Sequence, residues 1–204
     1  MKPDHECGDD LVMVQSARLP TAYGRFAVHA FLCPETRVEH IALVRGRVRG
    51  VRDVPVRVHS KCVTGDVFGS ARCDCGAQLN RALRMIARRP RGVLLYLSQE
   101  GRGIGIANKI AAYHLQDRGI DTVSANELLG FPPDSREYRC AAAMLRALGV
   151  GSVELMTNNP EKIRELQLHG VRVSRRIPMV VRETAANRRY LRTKTTKMGH
   201  LIRT

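Results

Sequence analysis

The sequence predicts an α/β (α+β) fold, a single compact domain built on a mixed β-sheet. Three observations carry this expectation. The first third reads as strands separated by turn residues. Gly92–Leu97 is a continuous apolar run, the signature of a strand buried on both faces. After Cys75 the apolar period becomes helical, and short strands alternate with helices to the end of the chain.

Taken in order, residues 1–10 are polar and acidic and read as a disordered tail, leaving 11–204 as the domain. Arg25–Leu32 and His40–Val44 alternate as strands, with Pro34 and Gly50 in the breaks. Val56–His59 is a further short strand running into a cysteine cluster. Leu79, Leu83 and Ile86 form one face of a helix closed by Arg88-Arg89-Pro90. A glycine-rich loop, Gln99–Gly105, follows the buried strand. Ile106, Ile110 and Tyr113 then share a helical face, which makes a core tyrosine the default reading of Tyr113. A helix with Tyr138, Ala141, Leu145 and Leu148 on one side comes after Pro132-Pro133, with Asp134 a reasonable N-cap. Val153–Met156 is a strand, Asn159-Pro160 a cap and first helical residue, and Val171–Val173 the last clear strand. From Ala186 onward the sequence reads as a polar, basic tail.

Composition narrows the function. Hydrophobic residues are 44% and charged residues 26% of 204, enough for a packed core and unlike a disordered chain. No apolar run reaches the roughly 18 residues of a membrane span. Nothing resembles a signal or transit peptide, so a cytoplasmic protein with reduced cysteines is expected. Aromatic residues are 4%, which disfavours base stacking as a main binding mode. The formal net charge of +15 favours anionic partners, or is a solvated basic surface spread along the chain.

Six cysteines are present, of which Cys7, Cys33 and Cys140 are isolated. Cys62, Cys73 and Cys75 fall within fourteen residues in a polar, glycine-containing segment. That pattern suits a zinc ion better than core packing. Three protein donors leave an open, catalytic vertex; His59 as a fourth ligand would close the site and make it structural. The Gln99–Gly105 loop opens a helix and could gather backbone N–H groups on an anion, or could be a tight turn. Thr157–Lys162 repeats the theme: Lys162 in a first helical turn opposes the helix dipole unless an anion is bound, or it is a solvated lysine at a capped helix start.

Together these segments resemble the GTP cyclohydrolase II family, in order, from about Leu19 to Leu201. The matching segments include Arg57-Val58-His59-Ser60, the cysteine cluster with Gly76–Leu79, Gln99–Gly105 with Asn108-Lys109, and Ala112-Tyr113. Asp121–Val123, Asp134–Arg136, Thr157–Pro160 and the Thr193-Lys194 region continue the match. The resemblance implies hydrolysis of GTP to formate, pyrophosphate and a diaminopyrimidinone ribosylamino phosphate, in riboflavin biosynthesis. Cys62, Cys73 and Cys75 match the zinc ligands, whose water would attack C8 of guanine. Arg136 matches the residue proposed to attack the α-phosphorus, Asp134 the proton acceptor, and Tyr113 a residue needed for ring hydrolysis. Arg57, Val58, His59, Ser60, Lys61, Gln78, Glu100, Gly101, Arg102, Thr122, Thr157 and Lys162 fall at GTP-contact positions. Glu100 is a chemically sensible reader of the guanine N1–H and amine.

The resemblance further implies one zinc per chain, magnesium with the triphosphate, and a homodimer. It gives no nucleic-acid or membrane partner. The family usually carries Glu where Lys61 stands, and an ammonium beside the first zinc ligand favours anions over metal. The last third is also more basic than expected (Arg175, Arg176, Arg188, Arg189, Arg192), and 204 residues leave no room for the dihydroxybutanone phosphate synthase domain often fused upstream. Two other readings are a paralogue that stops at a formamidopyrimidine, and a non-enzymatic zinc module that binds nucleic acid.

Overall fold

The fold was obtained as a computed structural model, which describes residues 10–181, 183–184, 187–199 and 201. Most of the expected tail, including Cys7, lies outside the described residues, as does His200. Seven strands form one mixed sheet: β1 (Val12–Thr21), β2 (Gly24–Leu32), β3 (Glu39–Arg45), β4 (Val54–Ser60), β5 (Gly92–Leu97), β6 (Val153–Met156) and β7 (Val173–Ile177). Their order across the sheet is β1-β2-β3-β5-β4-β6-β7. β1, β2, β3 and β5 pair antiparallel. β5, β4, β6 and β7 run parallel.

The parallel half needs crossovers, and helices supply them. After β4 the chain makes the single turn α1 (Val63–Asp66) and then α2 (Cys75–Ala87), which leads to β5 on one side of β4. Beyond β5 come α3 (Gly105–Asp117), α4 (Thr122–Leu128) and α5 (Arg139–Ala147), which return the chain to β6 on the other side of β4. α6 (Pro160–Leu168) joins β6 to β7, and α7 (Arg188–Met198) follows. Strand order therefore reverses at β4. In open α/β sheets a crevice forms outside the carboxyl ends of the strands at such a point, and here β4 ends at Ser60, beside the cysteines.

Side chains alternate across the sheet, so each strand feeds two cores. Val54, Val56 and Val58 of β4 join Val93, Leu95 and Leu97 of β5 beneath α5, with Met144 and Leu145, and α6, with Leu166. Leu94 and Met156 pack on the other face with Ala82, Leu83 and Ile86 of α2. Gly92 admits that helix closely: a Cβ there would lie 2.9 Å from Ile86 Cγ2. The same alternation turns Arg57 and His59 away from the valine face of β4.

Several expectations are corrected. The last strand is Val173–Ile177 rather than Val171–Val173; Val171 is buried just ahead of it. Residues 188–198 are a helix rather than part of a tail. A helix over 122–128 stands where the sequence suggested none, capped by Asp121, whose side chain accepts from the Val123 and Ser124 N–H groups. Asp134 is not an N-cap: its carboxylate pairs with Arg136, and α5 begins five residues later. The Ile106/Ile110 face of α3 is not core, since those residues are 43% and 50% exposed. Among the described residues, no helix is long and apolar enough to cross a membrane.

Candidate active site

One cleft opens at the carboxyl ends of β4, β5 and β6 and encloses about 1040 Å³ out to its mouth. The cysteine segment builds one wall. Gly65 and Gly76 bring α1 against the start of α2 so closely that a Cβ at Gly76 would meet Gly65 O at 2.2 Å. The three sulfurs of Cys62, Cys73 and Cys75 lie within 4.8 Å of one another. A Cβ at Gly65 would sit 2.9 Å from Cys73 Sγ and 3.2 Å from Cys62 Sγ, so only glycine leaves the cradle open.

The spacing suits a metal. Tetrahedral zinc with bonds of roughly 2.3 Å sets sulfurs about 3.8 Å apart, and Cys62 Sγ is 3.8 Å from Cys73 Sγ. Cys75 is the first residue of α2, and there the hydrogen bonds of Cys62 and Cys73, with burial, outweigh the helix N-terminus and push its thiol well up. The hydrogen bonds of Cys73 and Cys75 to Cys62 push the Cys62 thiol down, and that sulfur in turn pushes Cys73 up to about 11. One anion is thus held readily, and a cation is needed to hold three. His59 does not close the site, because its Nε2 lies 3.0 Å from Asp66 Oδ1 and its ring stacks on Tyr96. Asp66 also accepts from Tyr96 Oη (2.9 Å) and the Cys62 N–H (3.0 Å), which ties the first cysteine to the sheet.

Glu100 and Lys109 join the cysteine wall to the glycine loop. Glu100 Oε1 accepts from Lys109 Nζ (2.7 Å) and the Gly101 N–H (3.0 Å), and Oε2 accepts from the Val63 N–H (2.7 Å). Lys109 also donates to Cys62 Sγ at 3.1 Å. Burial opposes the Lys109 charge, but Glu100 and Cys62 outweigh it and hold the ammonium protonated above its ordinary range. Three of the four acceptor positions on Glu100 are therefore occupied by the protein, and its main task is to hold the loop. Gly101 and Arg102 both take left-handed backbone (φ 62° and 63°), a strained state for the arginine that re-aims the chain after β5. Arg102 Nη2 is buried without a hydrogen-bond partner among the described residues.

The floor is cationic. Arg57 is buried; its Nη1 donates to Met156 O (2.8 Å), its Nη2 to Gln78 Oε1 (2.5 Å), and its Nε has no partner among the described residues. Lys162 in the first turn of α6 is buried rather than solvated, with Nζ on Val58 O at 2.9 Å and over the Tyr138 ring. Burial, then Arg57 and Arg136, push its pKa well down. Arg136 pairs with Asp134 through Nε at 2.8 Å and through a second, shorter Nη2 contact. Burial would raise the Asp134 carboxyl, but Arg136 overrides this and holds it below the usual range. Tyr113 Oη is 3.3 Å from Thr64 Oγ1, and burial pushes its pKa up, so it stays protonated.

All but two of the anticipated site residues line this cleft: Arg57, His59, Ser60, Lys61, Gln78, Glu100, Gly101, Arg102, Tyr113, Thr122, Arg136, Thr157, Lys162 and the three cysteines. Val58 does not, since strand alternation buries its side chain in the core and only its carbonyl faces Lys162. Asp134 stands behind Arg136 rather than on the cleft surface. Sequence reasoning assigned no role to Lys109, Asn126, Tyr190 or Lys194, all of which line the cleft. Lys109 falls one turn after the glycine loop, the one local signal that could have marked it.

Fold and site define a class, that of α/β proteins with three clustered cysteine sulfurs opening onto a cleft lined by basic side chains. The family model for GTP cyclohydrolase II matches residues 12–178. GTP cyclohydrolase-2 of Tolumonas auensis is 51% identical over 190 residues, covering 93% of this chain and 96% of that protein. GTP cyclohydrolase-2 of Picrophilus torridus is 49% identical, covering 91% and 96%. Riboflavin biosynthesis protein RibBA of Bacillus subtilis is 54% identical over 90% of this chain, which spans about half (46%) of that longer protein. The chain belongs to the GTP cyclohydrolase II family and is a hydrolase.

Proposed function

We propose that this chain opens the imidazole ring of GTP with zinc held by Cys62, Cys73 and Cys75, releasing formate and pyrophosphate for riboflavin biosynthesis. The observation that carries this is the shared cleft: three sulfurs within 4.8 Å form one wall and Arg57, Arg136 and Lys162 the floor. Zinc bound there would supply Lewis acidity and lower the pKa of a water to about 7. The chain's residues do the rest. Lys109 donates to Cys62 Sγ and fixes Glu100, which holds the Gly101-Arg102 turn against the cysteine wall. Tyr113 stays protonated and donates to the substrate ring. Arg57, Arg102 and Lys162 take the triphosphate, which satisfies the unpartnered Arg57 Nε and Arg102 Nη2. At rest Asp134 keeps Arg136 protonated as a clamp. When Arg136 attacks the α-phosphorus, its proton passes to Asp134, already bonded to Nε, and pyrophosphate leaves; water then cleaves the resulting P–N bond, which frees the nucleoside 5′-phosphate, and Asp134 returns the proton to Arg136.

Magnesium arrives with the phosphates, since Glu100 on the cleft lining and the buried Asp74 behind it are already paired with Lys109 and Lys194. Lys61 lies exposed on the cleft wall and adds a positive charge at the mouth. The enzyme works in the cytoplasm, where its thiols stay reduced, and as a homodimer that covers Ile106 and Ile110 of α3 and Leu128 of α4. Incubation of zinc-loaded protein with magnesium and GTP tests the proposal. Equal formate and pyrophosphate, with the diaminopyrimidinone product by mass, are expected. GTP left intact would end it, and a formylated pyrimidine without free formate would limit it to partial hydrolysis.

A further inference from the structure

α7 lies far along the chain from the other site elements, yet it reaches into the cleft. Leu191 is buried, and the backbone N–H of Leu201 donates to Asn158 O at 2.8 Å, beside the start of α6. From this helix Lys194 lines the cleft, and its Nζ donates to Asp74 Oδ1 at 2.6 Å in a pair that is nearly all buried. The ammonium also sits 4.5 Å from the centre of the Tyr190 ring.

Basic side chains outnumber carboxylates at one end of the cleft. The charged Arg57, Arg136 and Lys194 gather there with Lys162, whose own charge is opposed by burial and by these neighbours. Two carboxylates, Asp74 and Asp134, face them. Asp74 is already shared, since its second oxygen accepts from Gln78 Nε2 at 2.6 Å, and Gln78 holds Arg57. Arg57 Nε is buried without a partner among the described residues. An ammonium has three donors, and Asp74 takes one of those on Lys194. A buried excess of cations with spare N–H donors is the arrangement a polyphosphate fills.

We propose that α7 completes the substrate site, with Lys194 donating to the polyphosphate of the bound nucleotide while Asp74 holds it in position. The inference rests on the nucleotide reading above. Lys194 keeps its bond to Asp74 and turns a second N–H onto a phosphate oxygen, beside Arg57 and Lys162. Asp74 lies between the ligands Cys73 and Cys75, so α7 is docked to the metal wall by the same contact.

The test uses the full chain loaded with zinc and the variant Lys194→Met, which keeps the aliphatic stem. Three quantities are read: zinc content, affinity for inorganic pyrophosphate, and affinity for guanosine, which has no phosphate. Lys194→Met is expected to weaken pyrophosphate binding by roughly 10-fold to 100-fold, the scale of one lost charge-assisted bond, with guanosine affinity and zinc content kept. Lys194→Arg is expected to recover much of the loss. Pyrophosphate affinity unchanged in Lys194→Met overturns the inference. Equal losses for pyrophosphate and guanosine, or zinc lost in the variant, assign Lys194 a structural role and overturn it too. Should Lys194→Met fail to fold, Lys194→Gln is read in its place, since it keeps a donor for Asp74 without the charge: weaker pyrophosphate binding with guanosine affinity and zinc content kept supports the contact, and unchanged pyrophosphate binding overturns it. Wild-type protein that leaves GTP intact sinks the nucleotide reading instead, a result distinct from all of these.

Discussion

The two ends of the sheet are built for different work. At the antiparallel end, nine of the ten residues of β1 are exposed, including Val12 and Val14. At the parallel end, six of the seven residues of β4 are buried, with Arg57 and His59 among them. Parallel strands covered by helices on both faces lose their solvent side, so any charge kept there must be held by partners or by a ligand. The contrast locates the chemistry in the crossover half and leaves the hairpin half as frame.

Breaking the parallel end should therefore cost most. Cys73→Ser removes one metal donor. Formate release should fall below detection, beyond the roughly 10–100-fold that losing an outer partner of a metal ligand costs. Metal analysis and a formate assay check this, and formate released at the wild-type rate from zinc-free variant would remove the metal from the reaction. Next, Arg136→Ala should abolish pyrophosphate release, read by a pyrophosphate-coupled assay; undiminished release would strip Arg136 of its role.

Gly65→Ala follows in size. Its Cβ would sit 2.9 Å from Cys73 Sγ, so the cradle must spread. A stability loss of about 1–3 kcal/mol and weaker zinc retention are expected in denaturant titration and chelator competition.

A smaller effect concerns protons. Burial and neighbouring cations lower the Lys162 pKa in the folded protein, so its folded value lies below its unfolded value near 10.5. Between those two pH values the unfolded chain binds more protons, and this lysine makes stability rise with pH. A bound polyphosphate reverses the shift, so binding should take up a proton on Lys162 in that window. Calorimetry in two buffers of different ionisation enthalpy should show uptake that Lys162→Met lacks. Smallest of all, Val14→Thr on β1 should change stability by no more than about 0.5 kcal/mol and leave GTP turnover as it was. A large kinetic effect there would dissolve the contrast between the two ends.

What the sequence disclosed follows the same division. The cysteine wall was legible because its three sulfurs are neighbours in the chain, so their clustering follows from local spacing. The strands of β4 and β5 were legible from apolar runs bounded by turns. Lys194 was not, because its role depends on α7 folding back across the molecule, which no local pattern encodes. α7 itself is rich in threonine, lysine and arginine, so a polar tail was the natural reading. Ile106 and Ile110 misled in the opposite sense: helical periodicity marks a face that wants cover, without saying whether the cover is the same chain. Val58 shows the limit of resemblance. It sits inside a matching segment, and strand alternation still turns its side chain away from the cleft.

The sulfur wall comes from fourteen consecutive residues, and the cation floor from positions 57, 136, 162 and 194. Closing a short loop costs little chain entropy, and the cost grows with length. On the ribosome, the nascent polypeptide therefore presents its thiols as a group early, well before residue 194 has been translated. The sulfur cluster and the basic floor thus assemble at separate moments in the birth of the chain.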